Sequence, residues 1–368
     1  MRFHTRIPAL FALVTALGCS GATPAFDDGI DSGPRRDSGN GGGDTSSTDD
    51  TGGGGGTDTG GSKVDSGGGG GDTAVDAPKT TGAIKTVFLL MMENHSWADI
   101  KGSSSTKYIN DFLLPVASHA EQYFTPPGNH PSEPNYIWLE AGDNLAITDD
   151  NGPDKNHRNT TAHLVTQLEG VGVTWKAYVE DIDGTSCPLA DNGLYAAKHV
   201  PMLFFDDVTN GNDAASKHCI DHVRPFGELA TDLSAGKVAR FNFITPNLCD
   251  DMHGQAFGTT CNTIFSDLPQ KGDDFLKATV PGILDSAAYK DGGALFILWD
   301  EGSGTFGASD GPIGLIVLSP LAKGGGYASS VKYDHSSTLR TMQTIFGVPF
   351  LRGAEKATDL ADLFKTFP

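Results

Sequence analysis

Two apolar runs that each end in acid constrain this chain more than any other feature. Thr86-Val87-Phe88-Leu89-Leu90-Met91-Met92 leads into Glu93, and Ala294-Leu295-Phe296-Ile297-Leu298-Trp299 leads into Asp300-Glu301. Continuous apolar runs of this length suit strands buried on both faces, and such strands belong to parallel sheets flanked by helices. Ligands of open α/β sheets collect beyond the carboxyl ends of the strands. Acids from distant parts of the chain are therefore expected to meet in one crevice. Carboxylates brought together there repel unless a cation or a proton neutralises them, so the pattern asks for a divalent cation with oxygen ligands.

The rest of the chain from residue 83 onward alternates in the same way. Helical patterns at 110–121, 133–142, 160–170, 223–235, 271–289 and 336–346 alternate with strand patterns at 173–179, 239–244, 294–299 and 313–318. The expectation is one α/β domain over 83–368, with a central, mainly parallel sheet and helices on both faces. Four cysteines fall in it: Cys187, Cys219, Cys249 and Cys261. Their spacing matches no zinc motif, and an even set in an exported chain favours disulfides. Three connectivities are open; Cys187–Cys219 with Cys249–Cys261 is preferred because each pair closes a modest loop.

The front of the chain reads differently. Arg2 and Arg6 precede an apolar run from Ile7 to Leu17, followed by Gly18-Cys19, the pattern of an export signal too short to span a bilayer. Ala16-Leu17-Gly18-Cys19 resembles a lipoprotein processing site, which would leave Cys19 lipidated. Ordinary cleavage and free secretion is the alternative. Lipidation is preferred because Cys19 stands where the apolar run ends, and both readings place the domain outside the cytoplasm. Residues 20–82 are rich in Gly, Ser, Thr and Asp and cannot bury enough surface to offset their ordering entropy. They read as a tether reaching about 40–50 Å. A net charge of −20 leaves no basic stripe for nucleic acid and no polybasic face for anionic lipid. Membrane contact is expected only through the anchor at Cys19.

A third stretch carries a candidate nucleophile. His130-Pro131-Ser132-Glu133-Pro134-Asn135-Tyr136 follows the loop Thr125-Pro126-Pro127-Gly128 and runs into a helical pattern. Ser132 is expected at the helix N-cap, with Glu133 and Pro134 in the first turn. A plain cap is the ordinary reading of such a serine. Next to a bound cation, however, its oxygen would become a nucleophile toward phosphorus, and the helix N-terminus suits phosphate oxygens.

These stretches, in the order Met91-Met92-Glu93-Asn94-His95-Ser96, His130 to Tyr136, Pro246-Asn247-Leu248-Cys249-Asp250-Asp251-Met252-His253, Trp299-Asp300-Glu301-Gly302 and Tyr333-Asp334-His335-Ser336-Ser337 followed by Leu339-Arg340-Thr341, together resemble the bacterial phosphoesterase family. That family holds acid phosphatases and phospholipases C within the alkaline phosphatase superfamily. The resemblance implies an alkaline-phosphatase-like three-layer sandwich. It also implies one divalent metal ion (calcium, magnesium or another oxygen-preferring cation) held by Glu93, Asn94, Ser132, Asp300 and Glu301, with Ser132 as nucleophile. His199 and His253 would contact the phosphoryl group, although Val200 after His199 departs from the more usual Asn. His335 would orient a metal ligand, and Asp251 would orient His253. The implied activity is an exported acid phosphatase acting on phosphate monoesters such as phosphoinositides or nucleotides. A phospholipase C is the alternative, and a tethered surface-binding protein without catalysis the non-enzymatic one. The chain ends soon after the last motif, which favours the monoesterase. His4, His119, His157, His163, His218 and His222 receive no role, His130 is read as shaping its loop, and Trp97, Trp138, Trp175 and Trp299 are read as core.

Overall fold

The computed structural model describes residues 82–255, 258–303 and 310–368. Cys19, the export signal and residues 20–81 of the tether lie outside the described residues. Among the described residues, eight strands form one sheet: β1 (Thr86–Met92), β2 (Ser118–Phe124), β3 (Trp175–Val179), β4 (Val223–Pro225), β5 (Phe241–Thr245), β6 (Gly293–Trp299), β7 (Leu315–Leu318) and β8 (Tyr327–Asp334). Their order is β4-β3-β5-β1-β6-β7-β2-β8. Every pairing is parallel except the two made by β7. All of β5, β6 and β7 is buried, as is β1 after its first residue. A strand without an exposed residue has cover on both faces, which is why these segments read as unbroken apolar runs.

The register explains where the acids go. Met92 at the end of β1 lies opposite Trp299 at the end of β6. Glu93 and Asp300 therefore leave neighbouring parallel strands one residue past the same rung. The loops after β2, β3, β5 and β8 open at this same edge, because those strands run in the same direction.

Three expectations about elements change. The helix expected over 110–121 is one short helical segment, Ile109–Leu113, followed by strand β2. Pro115 cannot continue a helix, and pairing with β7 and β8 overrides the weak strand propensity of Ser118, His119 and Ala120. The first residues of the helix expected over 223–235 form the short strand β4, and the helix is Glu228–Ala235. β8 was not anticipated at all. It sits at the sheet edge with only two of its eight residues buried, so it lacks the apolar run that marks the others. The two expected disulfides, Cys187–Cys219 and Cys249–Cys261, are present.

Candidate active site

Glu93 follows β1 and is fully buried; Asp300 follows β6 and is also fully buried. Asn94 adopts a left-handed backbone (φ 53°), a conformation Asn tolerates better than most residues. This turn aims its backbone N–H at Asp300 Oδ1, 3.0 Å away. Ser132 is not the N-cap; Pro131 occupies that position and Ser132 is the first residue of the helix Ser132–Ala141. Its Oγ donates to Glu93 Oε2 at 3.1 Å. The serine, both acids and the N-terminus of a helix thus share one point at the carboxyl edge of the sheet, where the Glu133 N–H donates to Asp150 at 3.0 Å.

His199 follows β3 in the segment Ala197–His199 and lies flat on Tyr136, with ring centroids 5.0 Å apart. Its Nε2 is 3.3 Å from Glu93 Oε1, and its Nδ1 is 3.3 Å from Asp251 Oδ2. Neither pair is aligned as a hydrogen bond at Glu93 Oε1, His199 Nε2 or Asp251 Oδ2, and all three atoms remain buried without a partner. His253 stands edge-on to His199, its centroid 5.6 Å away. Asp251 was expected to orient His253, and it holds that residue by the backbone and not by the ring. Its Oδ1 accepts the His253 backbone N–H at 2.7 Å, while the ring nitrogen of His253 contacts the Gly254 carbonyl. The ring that Asp251 faces is that of His199. The loop is held in this form by Met252, at φ 81°, which packs on Gly272 so closely that a Cβ there would meet Met252 Cγ at 2.4 Å.

His335 begins the helix after β8 and reaches back to the Asp300 carbonyl, with Nε2 at 2.6 Å. Its Nδ1 meets the Tyr123 hydroxyl at 3.0 Å. Burial lowers the His335 pKa to about 4, so the ring is neutral and donates its Nε2 hydrogen to that carbonyl.

Glu301 is placed differently from the other acids. Its Oε2 accepts from Asn135 Nδ2 at 2.9 Å and lies 2.8 Å from His130 Nδ1, whose other nitrogen is 3.2 Å from Asp310. Asn135 is itself locked to Asn129, which donates to its carbonyl oxygen at 2.8 Å. These polar residues were absent from the expected site. Asn135 lay within a quoted motif without a role, and the ring of His130 turns out to touch a site acid. Lys198 was also missed, although it precedes His199. Its ammonium bonds Asp150 at 2.7 Å and is only 16% exposed.

The electrostatics follow from this crowding. Burial, then the charge of Asp251, holds Glu93 well above the usual carboxylate range. Burial and Glu93 do the same to Asp300, against the pull of the Asn94 and Glu301 amides and the Ser132 hydroxyl. Burial raises Asp251 likewise. Glu301 is pushed up to about 9 by burial and by Asp300. Lys198 loses charge stability through burial, yet Asp150, Glu93 and Asp300 more than restore it and raise its pKa. Burial and Lys198 lower His199 and His253 below the ordinary imidazole range.

Glu93 Oε1, Asn94 Oδ1 and Asp300 Oδ2 are buried without hydrogen-bond partners. Unsatisfied acceptors beside raised carboxylates are what a cation site presents before the ion is counted, so these donors fit a divalent metal. Glu93 also belongs to a second donor set, with His199 and His253, whose ligand atoms lie within 4.8 Å of one another. Oxygen donors suit hard cations; the imidazoles widen the choice to transition metals.

Comparison with known proteins agrees with this geometry. The chain is 25% identical over 278 residues to the phosphatidylinositol-3-phosphatase of Mycobacterium tuberculosis, covering 76% of this chain and 82% of that one. It is 23% identical to a probable acid phosphatase of Kluyveromyces lactis, over 73% of this chain and 60% of the relative. It is 24% identical to phospholipase C A of Mycobacterium tuberculosis, over 50% of this chain and 38% of that enzyme. The match thus spans less than two thirds of the latter two proteins. Among solved structures, Ps i-CgsB superposes with a TM-score of 0.50 over 76% of each chain at 11% identity. A protein of the alkaline phosphatase superfamily from Vibrio parahaemolyticus gives 0.49 at 9% identity, over 77% of this chain and 73% of that one. The likeness to Ps i-CgsB concerns the fold alone. The model of the Phosphoesterase family matches residues 117–349, well over half of the sequence. With a family match of that extent, and with its acids and serine converging at the carboxyl edge of the sheet, this chain belongs to the Phosphoesterase family.

Proposed function

We propose that the protein is an exported acid phosphatase that releases phosphate from monoesters through a phosphoseryl intermediate on Ser132. The observation that carries this reading is the Ser132 hydroxyl at a helix N-terminus, bonded to a buried acid whose other oxygen has no partner. Glu93, Asn94, Ser132 and Asp300 would hold a divalent cation, with Glu301 behind them. Such a cation would offset the crowded acids and lower the pKa of the seryl oxygen. Ser132 Oγ gives its proton to Glu93 Oε2, its hydrogen-bond partner, and attacks phosphorus; the bond to the leaving oxygen breaks, and that oxygen takes a proton from an imidazolium. His253 and His199 are the groups for that transfer. Both are depressed, so the protonated form gains population as pH falls, which matches an acid-range activity. Water then gives a proton to that imidazole and attacks the phosphoseryl group, the bond from phosphorus to Ser132 Oγ breaks, inorganic phosphate leaves, and the serine takes its proton back from Glu93.

Lys198 extends the expected machinery. It is an ammonium held among Glu93, Asp300 and Asp150, placed to attract the non-bridging oxygens of a bound phosphate. Substrates are taken to be phosphoinositide or nucleotide monoesters, with diester cleavage as the competing activity. The test uses the full chain with a chromogenic phosphate monoester, with and without chelator, alongside a phosphocholine diester. Chelator-sensitive release of inorganic phosphate supports the proposal. Release of phosphocholine with no monoesterase activity replaces it with a phospholipase C, and no turnover on either leaves a binding protein.

A further inference from the structure

Away from the sheet's carboxyl edge, a second group of ligating side chains stands over the β3–β4 end of the molecule. Glu169 closes the helix Leu164–Gly170, while His218 and His222 lie four residues apart on the helix Lys217–His222. That spacing puts both imidazoles on one helix face. Glu169 Oε1 is 2.6 Å from His218 Nε2 and 3.7 Å from His222 Nε2, and all three ligand atoms fall within 4.8 Å of one another. Ligands about 2.0–2.1 Å from a tetrahedral zinc ion sit roughly 3.4 Å apart. Small side-chain rotations would bring these separations to that value.

The surrounding bonds turn both Nε2 atoms toward the same place. His218 Nδ1 meets the Asp207 carbonyl at 3.1 Å, and His222 Nδ1 meets the His218 carbonyl at 2.9 Å. A carbonyl only accepts, so each Nδ1 carries a hydrogen and each Nε2 faces Glu169, that of His218 sharing a further hydrogen with Oε1 at 2.6 Å. Trp175 Nε1 donates to Glu169 Oε1 at 2.7 Å, and the Trp175 ring stacks on His222 at 4.5 Å. The Cys187–Cys219 disulfide anchors the helix between the two histidines. Two fixed imidazoles, a fixed carboxylate and room for solvent on the exposed side form a three-ligand set of the kind that takes a borderline-soft divalent ion.

We propose that Glu169, His218 and His222 are a second metal site, for a zinc-class divalent cation, that ties the helix Leu164–Gly170 to the helix Lys217–His222. Binding releases the hydrogen shared between His218 Nε2 and Glu169 to solvent, and two metal–ligand bonds replace that contact. The simpler account of the cluster, a surface imidazole–carboxylate pair, predicts no metal uptake.

The experiment titrates the chelator-stripped full chain with Zn2+ by calorimetry, and with Co2+ while tryptophan emission is followed. Trp175 is the reporter, because it stacks on one ligand and bonds another. Wild type and Glu93→Gln should both bind a Zn2+ ion at this cluster and both lose Trp175 emission on Co2+ addition. His222→Gln and Glu169→Gln should bind one Zn2+ fewer, or weaken that site at least tenfold. Both variants should retain phosphate release, and Zn2+ should raise the Tm of wild type more than theirs. Glu169→Gln keeps an acceptor for Trp175, so it guards against loss of fold in the other variant. Equal Zn2+ stoichiometry, affinity and quenching in wild type and both variants would overturn the proposal. So would a quench that disappears in Glu93→Gln but persists in His222→Gln, since it would then arise at the other centre.

Discussion

Two acids at opposite ends of the sheet show what the candidate site sacrifices. Asp362 lies beside the start of β8 and accepts from Lys323 at 2.7 Å, from Ser329 at 2.7 Å and from the Tyr327 hydroxyl at 2.9 Å. Lys323 and Ser329 hold its pKa below the ordinary aspartate value. Asp300, past the end of β6, is more deeply buried, with one oxygen lacking a partner and a pKa pushed up by burial and by Glu93. The first acid is satisfied by its own chain and serves the fold. The second keeps an unpaired oxygen and repels Glu93, a cost that a bound cation would offset. Buried polar groups left unpaired cost stability, and proteins tolerate that cost mainly at functional sites.

The sharpest way to break this contrast is Ser132→Ala. It removes the nucleophile and one hydrogen bond, so turnover should fall by at least about 10³-fold while thermal unfolding shifts by no more than a few degrees. Wild-type-like turnover would mean the acids serve some other chemistry. Next comes Asp300→Asn, expected to reduce turnover on the order of 10²–10³-fold. In chelator-stripped protein the same change should raise Tm, because it relieves repulsion with Glu93. A lower metal-free Tm would show that Asp300 is paired as securely as Asp362. Lys198→Met should cut kcat/KM by about 10–100-fold, measured as initial rates over a range of monoester concentrations. An unchanged ratio would confine Lys198 to its bond with Asp150.

Asp362→Asn is the mirror experiment. It should lower Tm by a few degrees and leave kcat unchanged, as checked by calorimetry and phosphate release on one preparation. The smallest effect belongs to the His163–Asp207 pair, with Nε2 and Oδ1 3.0 Å apart. Burial pulls the His163 imidazolium down, but Asp207 and Glu140 outweigh it and leave its pKa raised. A raised histidine contributes stability below its unfolded pKa and loses it as pH rises through the folded value. Asp207→Asn should therefore cost most Tm near pH 5.5–6 (about one unit below the ordinary histidine value) and progressively less above neutrality. A deficit that grows with pH would reverse the assignment.

How much of this was legible in the sequence depends on whether a residue's neighbours lie along the chain or across space. Glu93 and Asp300 were readable because each ends an apolar run, and parallel register alone brings such ends together. Ser132 was placed at the correct helix end but one position off its cap, because Pro131 takes the non-helical geometry that a cap requires. β2 was hidden by a helix-like spacing that Pro115 interrupts, and edge strand β8 by its polar face. Lys198, Asn129 and Asn135 acquire their roles only when loops after different strands converge. Asp251 illustrates the same limit: adjacency in sequence suggested His253, whereas folding turns its free oxygen to His199. His218 and His222 carried a local signal in their four-residue spacing. Glu169, from another helix, is what turns that spacing into a ligand set.

The proposed catalysis requires phosphorus to become bonded to one named oxygen, and that bond can be looked for. Full-length protein turning over a phosphate monoester at acidic pH, quenched in acid and digested, should yield a peptide containing Ser132 that carries one additional phosphoryl group, absent after chelation. Robust turnover with the Ser132 peptide unmodified and another residue phosphorylated would contradict it.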